Sequence, residues 1–128
     1  MTSPGVLPQR EPDELAVNLT RWAGADPLKA ATAATLVAIA DATREISALT
    51  RLGPLAGALG QATGEANSDG DFQKKLDVLS NDAVLRALKS APVAYFASEE
   101  ESEILSLKAG GQIAVAVDPL DGSSNIDT

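Results

Sequence analysis

Gln112-Ile113-Ala114-Val115-Ala116-Val117-Asp118-Pro119-Leu120-Asp121-Gly122-Ser123-Ser124-Asn125 is the stretch from which the rest of the chain can be read. Its first half is a short apolar run rich in Val and Ile, bounded upstream by Gly110-Gly111, and reads as a strand over 112–117. Its second half delivers two carboxylates, Asp118 and Asp121, into a tight turn. Pro119 fixes its own φ and keeps Asp118 out of helical geometry, and Gly122 lets a ligand approach the backbone closely. Carboxylates placed this way can hold a hard divalent cation through oxygen. The N–H groups and hydroxyls that follow can receive an anion such as phosphate. The same residue types also build ordinary surface turns, so the octapeptide needs support from elsewhere in the chain.

Composition narrows the chemistry. The 128 residues are 45 % hydrophobic, enough for one small domain with a core. A net charge of −8 argues against nucleic acid or an anionic membrane surface as a partner. It accords with a phosphorylated ligand only where metal ions invert the local field. The sequence has neither His nor Cys, which removes the commonest general base, the usual zinc ligands and any disulfide. Catalysis would have to run on carboxylates, hydroxyls, Lys or Arg, and hard metals. The first 25 residues lack a basic segment followed by an apolar run, and Ala30 to Ala42 is too short and too interrupted to span a bilayer. A soluble cytoplasmic protein is expected.

Working back from the quoted stretch, Val93 to Ala97 and Ile104 to Leu107 read as two further short strands. Ser98-Glu99-Glu100-Glu101 follows the first of them at its carboxyl end. Both connections are short, so the chain should reverse twice and leave the first and third strands parallel. That topology brings Glu99 and Glu100 to the same sheet end as Asp118 and Asp121. Taken alone, the three glutamates read as a solvated acidic run.

Upstream the pattern is helical. Phe72 to Lys89 carries Leu76, Leu79, Ala83 and Ala87 on one face, widened by Leu85 and Leu88. Asp26-Pro27 is an N-cap and first-turn pair opening a helix to about Arg51, whose face is Leu28, Thr35, Ile39, Ala42, Ile46 and Leu49. Its many alanines predict close packing against another helix or a subunit. Leu15, Leu19 and Trp22 mark a short helix over 13–23 that ends at Gly24. Residues 1–12, with three prolines and a glycine, are expected to form a flexible arm, and 13–128 the domain. Gly53 to Gly70 reads as a loop, on composition alone simply a flexible one.

Asp118 to Asp127, Gly70 to Asp82 and Ser98-Glu99-Glu100 together resemble three blocks of the class I fructose-1,6-bisphosphatases. More broadly they are similar to the lithium-sensitive metal-dependent phosphatases that include the inositol monophosphatases. The resemblance covers the chain from about residue 10 onward. It implies a layered α/β fold in which N-terminal helices pack on a mixed sheet, with this chain as the incomplete N-terminal half. It further implies Mg²⁺ (Mn²⁺ as a substitute), a sugar bisphosphate substrate, a homotetramer, and a place in gluconeogenesis or the Calvin cycle. Carried over by motif, Glu99, Asp118, Asp121 and the Leu120 carbonyl correspond to metal ligands. Asp71 corresponds to a ligand delivered by a mobile loop. Asp77 and Glu100 correspond to the pair that orients and deprotonates the attacking water. Asp121, Gly122, Ser123, Ser124 and Asn125 correspond to the seat of the phosphoryl group.

Two departures from the family pattern bear on function. The family is more than twice this length, and its distal half carries a further acidic ligand and the groups that hold the sugar. A truncated, non-catalytic module for metal or subunit binding is therefore a rival expectation, as is a related phosphatase acting on sedoheptulose bisphosphate or an inositol phosphate. The AMP-inhibited members also carry Lys-Tyr where this chain has Gln112-Ile113, which speaks against AMP inhibition through those contacts.

Overall fold

The computed structural model describes residues 14–52 and 68–120, with side chains from residue 72 in the second stretch. The expected arm at 1–12, most of the expected loop, and Asp121 to Asn125 lie outside the described residues. Among the described residues there are three helices, here labelled α1 Glu14–Ala23, α2 Pro27–Arg51 and α3 Ser68–Lys89. They precede three strands: β1 Val93–Ser98, β2 Leu105–Ser106 and β3 Ile113–Val117. The architecture is the expected α/β one, with helices against a small mixed sheet.

Local chemistry sets the element ends. Gly24 closes α1 with φ +54, the left-handed geometry that favours glycine, and its N–H reaches the Thr20 carbonyl at 3.2 Å. Asp26 then caps α2, its Oδ1 accepting from the N–H groups of Leu28 (2.9 Å) and Lys29 (3.1 Å), with Pro27 in the first turn. The long α2 packs along α3, and Ala33, Thr35 and Ala42 are its buried positions. Small residues let the helix axes approach closely. Arg86 of α3 adds a two-oxygen ion pair to Glu45 of α2 at 2.9 and 3.2 Å.

Four expectations shift. Helix α3 begins at Ser68 rather than Phe72, so Gly70 and Asp71 belong to its first turn and not to the preceding loop. Its core stripe is Leu76, Ser80, Ala83, Val84 and Leu88, an i+4 progression in which Ser80 takes the place expected of Leu79. Leu79 is exposed, as is Leu28 at the start of α2. Trp22, on the face that marks α1 in the sequence, is half exposed, with the Lys29 ammonium 5.3 Å from its ring centroid.

The sheet order is β2-β1-β3, with β1 antiparallel to β2 and parallel to β3, as the short connections predict. Between Val93↔Ile113 and Tyr95↔Ala114 the register slips by one residue, so Ala94 is a bulge. A regular strand alternates faces, which would send Val93 and Phe96 to opposite sides. The bulge turns both inward, and each is fully buried while Tyr95 faces out. They meet Ala42, Val84, Leu88 and Ala91 in the core, flanked by Ile113, Val115 and Val117 of β3.

The β2–β3 connection crosses the start of β1. Leu107 and Lys108 donate N–H groups to the carbonyls of Ala94 (2.8 Å) and Val93 (3.1 Å). Gly111 lies so close beneath that a Cβ there would stand 2.7 Å from the Ala94 nitrogen. Only glycine fits that crossing, and the crossing makes β1 and β3 parallel.

Candidate functional site

Because β1 and β3 are parallel and in register at Ser98↔Val117, the residues that leave them sit side by side. These are Glu99 and Asp118. The Glu99 N–H donates to the Val117 carbonyl at 3.2 Å, carrying the ladder one residue past the strand. The Glu99 and Asp118 carboxyls therefore leave adjacent strand ends close enough for each to feel the other's charge. Two carboxylates at that separation cannot both ionise without mutual cost, and Glu99 is pushed above its ordinary value. The Asp118 charge is the largest cause; the charge of Glu100, slight desolvation and the charge of Asp77 add to it.

Four of the expected site residues are thus gathered: Glu99 and Asp118 at neighbouring strand ends, with the charges of Glu100 and Asp77 also acting on Glu99. Asp77 comes from α3, half-buried, with its Oδ1 out of solvent. Leu120 is on the turn after β3, half-buried. The backbone of Asp71 is in the first turn of α3, and its side chain lies outside the described residues, as do Asp121, Gly122, Ser123, Ser124 and Asn125. Among the described residues no three acidic groups converge on one point that could hold a metal ion.

The donor set nevertheless suits a hard cation. It is all oxygen, and it accumulates negative charge that a bound divalent cation would relieve. The cleft between α1 and α2, lined by Leu19, Ala23, Ala33 and Val37 among others, contains none of these carboxylates.

Sequence reasoning missed a second layer. The Ser98 hydroxyl donates to Asn81 Oδ1 at 2.6 Å and accepts from the Glu100 N–H at 3.2 Å. Asn81 Nδ2 donates to Glu101 Oε1 at 2.8 Å, and the Glu101 N–H donates to the Ser98 carbonyl at 3.1 Å. Asn81 is 5 % exposed. The available signal was a polar pair, Ser80-Asn81, inside the apolar stripe of α3; a buried amide needs partners, and its partners lie in the acidic turn.

The family described as fructose-1-6-bisphosphatase, N-terminal domain, matches residues 20–128. A class 1 fructose-1,6-bisphosphatase of Azorhizobium caulinodans is 52 % identical over 111 residues, covering 86 % of this chain and 34 % of the relative. Proteins of the same name from Rhodopseudomonas palustris and Methylorubrum extorquens are 48 % identical over 114 residues and 54 % over 101. Those two alignments cover 89 % and 79 % of this chain, and 33 % and 29 % of the relatives. The chain therefore spans about a third of the length of the curated relatives it matches. Among the described residues no helix is long and apolar enough to cross a membrane.

Proposed function

Since this chain belongs to the fructose-1,6-bisphosphatase family, we propose that its protein hydrolyses the 1-phosphate of D-fructose 1,6-bisphosphate to fructose 6-phosphate and phosphate with Mg²⁺. The observation that carries the reading is the Glu99–Asp118 pair at the shared end of two parallel strands, with Asp77 and Glu100 in its field. A bound Mg²⁺ would supply charge neutralisation at the phosphoryl oxygens and the departing alkoxide. Glu99, Asp118, the Leu120 carbonyl, Asp121 and Asp71 would hold it.

The remaining steps belong to the chain. Glu100 and Asp77 flank the acidic pair from the β1 turn and from α3, the positions from which a water can be oriented toward phosphorus and relieved of its proton. Asp121, Gly122, Ser123, Ser124 and Asn125 would seat the phosphoryl group through N–H groups and side chains. As the new P–O bond forms, the bond to O1 of the sugar breaks and the alkoxide takes up a proton. A homotetrameric assembly and a cytoplasmic location belong to the same proposal.

The test is phosphate release by the complete protein from fructose 1,6-bisphosphate and from an inositol monophosphate, with Mg²⁺ and with EDTA. The expected result is Mg²⁺-dependent turnover favouring the ketose bisphosphate, lowered by about 10²-fold or more in Asp118→Asn. Faster turnover of the inositol ester, or turnover indifferent to EDTA, would sink the proposal.

A further inference from the structure

We propose that Asn81 is a positioning residue that divides the Glu99-Glu100-Glu101 run, turning Glu101 back onto α3 so that Glu99 and Glu100 face Asp118 and Asp77. The inference rests on the metal-site reading above and adds to it a residue in neither the ligand set nor the water pair. Three consecutive glutamates at a strand end would ordinarily splay into solvent and exchange roles. Here one of them is fixed. Asn81 uses both ends of its amide, Nδ2 donating to Glu101 Oε1 (2.8 Å) and Oδ1 accepting from Ser98 Oγ (2.6 Å). Ser98 Oγ in turn accepts from the Glu100 N–H (3.2 Å). The helix that carries Asp77 is thereby joined to the turn that carries Glu99 and Glu100, with a buried amide as the joint. Asn81 lies one helical turn after Asp77, so one rigid element sets both sides of the site. Hydrogen-bonded partners that orient ligating carboxylates typically affect metal affinity as strongly as this predicts.

The decisive variants reverse the polarity of the joint. Asn81→Asp keeps the shape and the acceptor for Ser98 but sets a carboxylate against Glu101. Adding Glu101→Gln restores a donor–acceptor pair with the roles exchanged. Binding of Mn²⁺ to the complete protein, followed by electron paramagnetic resonance, should weaken about 10- to 100-fold in Asn81→Asp and recover in the double variant. In the cation-free protein, amide exchange at Glu100 and Glu101 should speed up about tenfold in Asn81→Asp and slow again in the double variant. A double variant no better than the single one, as expected if Glu101 were itself a ligand, would overturn the proposal. So would unchanged amide exchange in Asn81→Asp. Ser98→Ala serves if Asn81→Asp does not fold: its Glu100 amide should exchange faster, and an unchanged rate overturns the clamp. A wild-type protein that binds no Mn²⁺ yet keeps the amide pattern would overturn the metal reading and support the clamp.

Discussion

The helical side of the sheet and its carboxyl-terminal rim treat charge in opposite ways. Beneath the sheet, Val84, Leu88, Val93 and Phe96 belong to a core cluster that among the described residues contains no ionisable group, and on the helices outside it Arg86–Glu45 and Arg44–Asp41 form opposite-sign pairs. At the rim, Glu99, Glu100, Asp118 and Asp77 bring one sign together, and all act on Glu99 in the same direction. The first region lowers the free energy of the fold; the second raises it in the absence of a cation. Their difference shows where the stability goes. The core and the Asn81 joint hold in place a set of like charges that would otherwise separate, and under the proposed function such a site would be ready for a cation before one arrives.

Changes below the sheet should test this division most strongly. Phe96→Ala removes the largest fully buried side chain and should cost about 3–5 kcal/mol, read as a fall in thermal midpoint in EDTA and in Mg²⁺ alike. A loss smaller than about 1 kcal/mol would mean that the core does not carry the rim. Gly111→Ala puts a methyl 2.7 Å from the Ala94 nitrogen, with backbone and not a flexible side chain in the way. It should cost about 1–3 kcal/mol by denaturant titration and loosen the β1–β3 register, lowering Mn²⁺ affinity as well. An unchanged Mn²⁺ affinity would separate the crossing from the rim. Ser80→Ala lies at the boundary and should act with the other sign. Its buried hydroxyl has no hydrogen-bond partner among the described residues, so its removal should stabilise by about 1 kcal/mol and leave Mn²⁺ binding alone.

What the sequence made legible follows the same division. Asp26-Pro27 and Gly24 act within a few residues, and both helix boundaries were readable from them. The parallel pairing of β1 and β3 followed from connection length, and with it the meeting of Glu99 and Asp118. The start of α3 was not readable, since Gly70 disfavours a helix interior and marks a boundary that the fold overrides. Nor was the bulge at Ala94: a one-residue register slip leaves no composition signal, and its counterpart, Gly111, lies 17 positions away in the chain. Asn81 was hidden for a related reason. It satisfies a turn twenty residues distant, and pattern reading scores a polar residue in a stripe as an interruption.

At the rim itself the expected stability effect is smallest but carries a signature that the core cannot imitate. Glu99 is raised above its ordinary value of 4.5 in the folded protein, chiefly by Asp118. Between that value and the raised one the folded state binds more protons than the unfolded state, so stability falls as pH rises through the window. Above the window the cost is fully present; below the ordinary value it is gone. In EDTA the thermal midpoint of the wild-type protein should therefore climb as pH falls toward the carboxylate range, until general acid unfolding sets in. Glu99→Gln removes the repulsion from Asp118, so it should flatten that slope and melt above wild type at neutral pH. Mg²⁺ should reverse the ranking, because the wild-type pair gains a cation that the amide binds poorly. Phe96→Ala lowers the whole curve without changing its slope. If Glu99→Gln did the same, the rim would be one more packed edge of the fold, and the contrast between the two regions would collapse.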